Sequence, residues 1–209
     1  MPDLLSGYTF DDRSCRYRSL TTGRYVARGR IVELLDAQIQ QRGSRLARLT
    51  MDYAANKLTP RDWIVAMRDE LRRAHLQYAS LGRGGWDRLA GDAKAYGRIG
   101  GILQADYRRL LGFADDIANG RLSDAQILNR LEMYLGNARR EFWENQRDGL
   151  RASGQRYEAR RVLQPAEHCE DCIVMAREGW KPIEQLVMPG EGSRCLTNCK
   201  CVVDYRIAK

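Results

Sequence analysis

Apolar residues recur at steps of three and four along the middle of the chain, and this spacing predicts four long amphipathic helices. The apolar stripes occupy residues 31–53, 64–81, 99–117 and 127–142, and mostly polar residues fill the positions between the apolar ones. Because the stripes are long and the connections between them are short, we expect residues 25–153 to form an α-helical, bundle-like body.

Helix-boundary signals separate these stripes. Thr59 precedes Pro60, which places an N-cap residue directly before a proline at the first helical position. Ser123 stands three residues before Gln126, which is the spacing of a capping box. Segment 82–85 holds three glycines, which favour the end of a helix. These signals place the helix boundaries between the apolar stripes.

The pattern differs at both ends of the chain. Residues 1–24 contain Pro, Gly, Ser and Thr with few apolar anchors, and we expect an arm there. Residues 157–163 and 201–207 have the character of strands, separated by irregular sequence rich in Pro and Gly. The predicted fold is therefore mainly α, with an N-terminal arm at 1–24, a helical domain at 25–153 and a small cysteine-rich β-hairpin module at 154–209.

Five of the six cysteines lie in the C-terminal module, as a Cys-x-x-Cys pair that is followed, after 22 intervening residues, by a second cluster. Zinc needs four ligands at tetrahedral angles, and two turns that each offer two thiolates supply them. A segment this short cannot bury a large core of its own, so a structural Zn²⁺ would stabilise its fold. Two disulfides, or simply buried thiols, are the alternatives.

Five thiols compete for four ligand positions. Cys169 and Cys172 share one turn, and Cys199 lies in the second turn. If Cys199 and Cys201 lay on one strand, they would point to opposite faces. This favours Cys195 as the fourth ligand, with Cys201 as its substitute.

Positive charge is concentrated near the N-terminus. The net charge is +8, and residues 13–48 hold nine arginines against two acidic residues, whereas residues 161–209 are neutral. Such a field favours a polyanion or an acidic protein surface as partner, and the alternative is an ordinary solvated face. The candidate polyanion- or partner-binding residues are Arg13, Arg16, Arg18, Arg24, Arg28 and Arg30.

Several classes of function find no support in the sequence. No apolar run approaches the roughly 20 residues of a membrane helix, and the N-terminus lacks the features of a signal peptide, so we expect no membrane partner and a reducing compartment. His75 and His168 are the only histidines, which excludes most acid–base and triad mechanisms that depend on histidine. We therefore expect a protein that is not an enzyme.

The cysteine segment resembles the C-terminal motif of the Mu F-like head-morphogenesis family, the minor head proteins of tailed phages. The matching parts are Cys-x-x-Cys at 169–172, Gly-Trp-Lys-Pro at 179–182, Met-Pro-Gly at 188–190 and Cys-x-x-Asn-Cys-Lys-Cys at 195–201. The family pattern commonly ends in Asn-Cys-Arg-Cys, and many members place His-Pro before it. This chain has Leu-Thr there, preceded by Cys195, and the resemblance implies that Cys195 replaces the histidine as a ligand.

The resemblance implies a structural virion protein that acts in head assembly or in the portal and head-tail region. It implies portal, capsid or connector proteins as partners, a location in the virion and, during assembly, in the host cytoplasm, and no catalysed reaction. Contact with phage DNA and self-association into a homo-oligomer are left open. The alternative is a zinc-stapled regulatory protein that binds nucleic acid, which the arginine-rich segment favours and the neutral C-terminal module disfavours.

Overall fold

Long helices dominate the computed structural model, which describes residues 5–208. The four predicted apolar stripes fall within four long helices, and the prediction of a mainly α fold is confirmed. Within the described residues, the helices are α1 (Arg28–Ala54), α2 (Pro60–Arg83), α3 (Trp86–Ala90), α4 (Ala93–Ala118), α5 (Asp124–Ala152) and α6 (Glu170–Arg177).

The predicted boundary signals act as expected. The Thr59 hydroxyl accepts a hydrogen bond of 3.1 Å from the backbone N–H of Asp62 at the start of α2. Both halves of the capping box form between Ser123 and Gln126 at the start of α5. Gly84 has a φ of +97° and ends α2 in the left-handed conformation that glycine adopts without a steric penalty.

Helices α2 and α5 pack closely along their length and form the centre of the helical body. A Cβ atom at Gly82 of α2 would lie 2.1 Å from the carbonyl oxygen of Phe142 on α5, so only glycine permits this approach. Aromatic rings fill the space towards α1 and α4: the Trp63 ring stacks on Tyr53 at 5.0 Å between centroids and meets the edge of Phe113 at 5.6 Å.

The N-terminal segment was expected to be an arm, and the structure instead shows a small antiparallel sheet of β1 (Tyr8–Asp11), β2 (Arg16–Ser19) and β3 (Tyr25–Val26). Phe10 and Tyr17 point inward from this sheet and are buried against the helices. Because each of the four-residue strands β1 and β2 has one buried residue, the sheet leaves no visible stripe in the sequence. Residues 1–4 of the expected arm lie outside the described residues.

The predicted C-terminal strands are confirmed. β4 (Tyr157–Val162) pairs antiparallel with β6 (Val202–Ile207) on one side and with β5 (Lys181–Pro182) on the other. Tyr157, Ala159, Val203 and Tyr205 of this sheet belong to the same apolar core as the helices. The segment boundaries at residues 24 and 153 stay predictions, and residue 209 lies outside the described part of the chain.

None of the helices between residues 5 and 208 combines the length and the apolar character that crossing a bilayer requires.

Candidate metal centre

Three short elements bring the five C-terminal cysteines together. Cys169 is the N-cap of α6, and Cys172 lies in its first turn. Cys195 and Cys199 flank a short 3₁₀ turn over Leu196–Asn198. Cys201 directly precedes β6, so the pairing of β6 with β4 positions the second cysteine cluster opposite the first.

The distances between the sulfur atoms fit a tetrahedral metal site. The Cys172 Sγ atom lies 3.4 Å from Sγ of Cys195 and 3.7 Å from Sγ of Cys199, and Cys169 Sγ lies 3.6 Å from Cys195 Sγ. Four sulfur atoms bound to zinc at about 2.3 Å stand about 3.8 Å apart at the corners of a tetrahedron. The three observed separations are close to that value, so the residues present fit a bound metal ion.

Two overlapping groups of three thiols can hold a metal. One consists of Cys169, Cys172 and Cys195, and the other of Cys172, Cys199 and Cys201, with the ligand atoms of each group within 4.8 Å of one another. Cys172 belongs to both groups and is fully buried. The cluster can hold a metal ion, while the choice of four ligands from the five thiols stays a prediction.

Cys201 lies closer to the other thiols than the sequence suggested. We expected Cys199 and Cys201 to point to opposite faces, as alternate residues of one strand do. The strand begins only at Val202, and the preceding residues follow a 3₁₀ turn, so both thiols enter the cluster. His168 lies against Cys201, with 3.7 Å between its Nδ1 atom and the Cys201 Sγ atom.

Contacts within the cluster shift the pKa values of its thiols in different directions. The hydrogen bond with Cys201, aided by the charge of Arg161, lowers the pKa of the Cys199 thiol to about 4. The same hydrogen bond raises the pKa of the Cys201 thiol. Burial raises the pKa of the Cys195 thiol to about 12. These contacts favour the thiolate form of Cys199, and the thiolate is the form of cysteine that binds metals.

Arg161 is part of the site and was not identified from the sequence. Its Nη1 atom lies 3.5 Å from Sγ of Cys172 and 4.0 Å from Sγ of Cys199. The signal that points to it is its position on β4, where Tyr157, Ala159 and Arg161 form the inward-facing row. A charged residue in such a row requires a partner in the interior.

The cysteine loop is seated on the helical body. A Cβ atom at Gly136 of α5 would lie 2.4 Å from the carbonyl oxygen of Thr197, which stands between Cys195 and Cys199. The absence of a side chain at Gly136 therefore lets the loop lie directly on α5. Beside this contact, a groove of about 600 Å³ runs between α1 and α5, and Ile39 and Leu128 contribute to its apolar lining.

The six predicted arginines divide into two groups. Arg13, Arg16, Arg18 and Arg24 are exposed on or beside the N-terminal sheet, and none of them forms an ion pair within residues 5–208. Arg30 pairs with Glu33 in its own helix at 3.1 Å.

Arg28 is half-buried and holds two elements of the fold together. Its guanidinium donates to the Val203 carbonyl oxygen, lies 3.3 Å from a carboxylate oxygen of Asp204 and stacks over the Tyr205 ring at 4.9 Å. Arg28 therefore links the start of α1 to β6. Of the six predicted arginines, the four on or beside the N-terminal sheet are the ones that have no ion pair within residues 5–208.

His75 contributes to the interior of the helical body. Its side chain is fully buried, and its Nε2 atom lies 3.5 Å from Oδ2 of Asp106, which is also fully buried. The pair lies between α2 and α4, out of contact with solvent.

Comparison of the chain with family models, with curated proteins and with solved structures finds no match.

Proposed function

We propose that this protein is a structural component of a tailed-phage virion, acting in head assembly or in the portal and head-tail region, and that its C-terminal cysteines bind a structural zinc ion. The observation that carries the proposal is the convergence of the five C-terminal thiols in two overlapping groups of three, in the order of the minor-head-protein motif. Neighbouring sulfur atoms among Cys169, Cys172, Cys195 and Cys199 lie 3.4–3.7 Å apart. The motif supports the virion assignment, and the geometry supports the metal.

Zinc is the metal that best fits this set of donors. Soft thiolates select zinc, copper(I) or iron–sulfur clusters, and a tetrahedral all-sulfur site is typical of structural zinc. Three of the five sulfur-bearing residues are buried, which favours a closed site over one that admits substrate. The ion, when bound, would stabilise the loop that precedes β6 and hold it against α5.

Surfaces on the helical body support a role in protein–protein contacts. The groove between α1 and α5 ends at Thr197, Asn198 and Lys200 of the cysteine loop, so the bound metal would also shape one wall of it. Leu128 in this groove is 47% exposed, and burial of such apolar surface stabilises protein association. Portal, capsid or connector proteins, or a second copy of the chain, are the partners we propose.

Metal analysis combined with native mass spectrometry tests the zinc centre. We expect one zinc per chain, and a chelator should remove the zinc and the C-terminal fold together. The Cys15→Ser variant is the matched control, because Cys15 lies in the N-terminal segment away from the cluster and should not affect zinc content. A metal-free protein with two disulfides would overturn the metal assignment.

Mass spectrometry of purified particles tests the virion assignment. Particles of the phage whose genome encodes this chain should contain its peptides at a fixed ratio to the portal protein. Synthesis of the chain in infected cells, combined with its absence from washed particles, would contradict the assignment and leave the zinc centre unaffected.

The exposed arginines favour a second candidate function, a regulatory protein that binds nucleic acid. Arg16 and Arg18 flank the buried Tyr17 on β2, so both project from the outer face of the sheet, and Arg16 lies 4.7 Å over the ring of Tyr25. Such a face suits nucleic acid, because guanidinium groups bind phosphates and an exposed aromatic ring stacks on bases. Arg13 and Arg24 extend the positive charge on either side.

The salt dependence of DNA binding distinguishes this function. Each phosphate contact contributes about −0.9 to the slope of log K against log salt, so four arginines predict a slope of roughly −3 to −4. Changing Arg13, Arg16, Arg18 and Arg24 to Gln should abolish that slope. A variant with Arg72 and Arg73 changed to Gln is the control, because both pair with Asp69. Weak binding with no slope in the unaltered protein would exclude this candidate.

A further inference from the structure

Arg161 is a charged residue in an apolar row. It occupies the third inward position of β4, after Tyr157 and Ala159, and its exposed fraction is only 2%. Arginine is almost never buried this fully without a partner, because removing a guanidinium from water is costly. The position therefore requires negative charge or hydrogen-bond acceptors inside the protein.

The neutral partners of Arg161 fix its orientation without balancing its charge. Its Nη2 atom donates hydrogen bonds of 2.7 Å and 2.8 Å to the carbonyl oxygens of Val187 and Met188. No carboxylate in residues 5–208 forms an ion pair with it. Its Nη1 atom faces Sγ of Cys172 and Sγ of Cys199 at 3.5 Å and 4.0 Å. The groups near Arg161 that can carry negative charge are therefore these two sulfur atoms.

We propose that Arg161 is the charge-balancing partner of the metal centre, and that it fixes Cys172 and Cys199 as ligands whichever of the other thiols complete the site. This inference rests on the proposed zinc centre. Four thiolates around Zn²⁺ carry a net charge of −2, and a buried complex of that charge is stabilised by a fixed cation in contact with its sulfur atoms. Residues that support metal ligands in this way contribute strongly to metal affinity.

A role in packing alone would have different consequences from a role in charge balance. Arg161→Gln keeps a donor for the two carbonyl oxygens and removes the charge. Arg161→Lys keeps the charge and loses the planar fork that binds two acceptors. Arg160→Gln is the matched control, because Arg160 projects from the other face of β4, pairs with Asp204 at 3.1 Å and stacks on Trp180.

The test measures metal affinity of the full chain, with Co²⁺ and Zn²⁺ in competition against a chromophoric chelator. We expect Arg161→Gln to bind metal 10- to 100-fold more weakly than the unaltered protein, Arg161→Lys to stay within about tenfold, and Arg160→Gln to be unchanged. At saturating Co²⁺ the sulfur-to-metal charge-transfer absorption should stay the same in all variants, because the same thiolates bind the ion.

Several outcomes would overturn the proposal. They are equal affinity of Arg161→Gln and the unaltered protein, a loss in Arg161→Lys as large as that in Arg161→Gln, and failure of Arg161→Lys to form the C-terminal fold in the presence of metal. If Arg161→Gln does not fold, the affinity of Arg161→Lys decides the question. An unaltered protein that takes up no metal would instead refute the zinc centre itself.

Discussion

The contact between Gly136 and the cysteine loop gives the sharpest prediction, because a single methyl group tests it. Gly136 lies in the interior of α5, and a Cβ atom there would stand 2.4 Å from the Thr197 carbonyl oxygen and 2.6 Å from the Thr197 Cβ atom. Relief of the clash requires the oxygen to move from 2.4 Å to at least 3.0 Å. Since the helix backbone is rigid, the loop between Cys195 and Cys199 must move.

Two opposing effects set the magnitude for Gly136→Ala. Alanine in place of glycine within a helix stabilises the folded state by about 0.5–1 kcal/mol. Overpacking a well-filled contact costs typically about 1–3 kcal/mol. We therefore expect the free energy of unfolding to fall by about 1–2 kcal/mol. Metal affinity should fall as well, by up to about tenfold, because the displaced loop carries two of the predicted ligands.

Gly112→Ala is the matched control. Gly112 is exposed in α4, and a Cβ atom there would meet no atom within 4 Å. This variant should be more stable than the unaltered protein by about 0.5–1 kcal/mol, with unchanged metal affinity. Urea denaturation of both variants, together with a chelator competition, makes the comparison. If Gly136→Ala were stabilised as much as Gly112→Ala, the loop would not lie on α5 and our account of the contact would be refuted.

Three further perturbations probe other parts of the molecule. Arg28→Ala should lower the free energy of unfolding by about 1–2 kcal/mol, because the half-buried guanidinium bonds to β6. Arg24→Ala, at an exposed position, should change the free energy of unfolding by less than about 0.5 kcal/mol. Equal effects of the two variants in chemical denaturation would contradict this prediction. Burial raises the pKa of Glu144 to about 7, so the folded state binds this proton more tightly than the unfolded chain does, and stability is lost as pH rises towards and through 7. Glu144→Gln should therefore reduce the fall in melting temperature between about pH 5 and pH 8, and an unchanged pH profile would refute this assignment. Cys172→Ser should abolish metal uptake and the C-terminal sheet, while most of the helical signal in circular dichroism remains. Loss of the helical signal as well would show that the helices depend on the metal.

The parts of the fold that could be predicted are those whose periodicity extends over many residues. Each long helix repeats its apolar spacing for at least 16 residues, which leaves little doubt about its face. The N-terminal sheet could not be found in this way, because β1 and β2 have four residues each and one buried anchor each, Phe10 and Tyr17. A repeat of two residues cannot be established from one position, and glycine and serine around the strands indicated an arm.

The cluster could be predicted, because the spacing of the cysteines is read directly from the sequence. The geometry within the cluster could not be predicted. The relation between Cys199 and Cys201 depends on where β6 begins, and strand ends are set by pairing with β4 rather than by local sequence. Arg161 could not be assigned from the sequence for a different reason. The strand character of residues 157–163 was predicted, but it does not tell which face of the strand is buried, so Arg161 could not be distinguished from a surface charge.

Arginine content alone could not separate the residues that hold this fold together from those that can bind a partner. Arg16 and Arg18 stand on either side of the buried Tyr17, so strand alternation directs both of them outward together. Arg161 stands on the inward row of its own strand, and Arg28, the first residue of α1, bonds to β6. Arginine is therefore a surface charge at positions 16 and 18 and a structural cation at positions 28 and 161. The case for a polyanion partner depends on the arginines of the N-terminal sheet and not on the total charge.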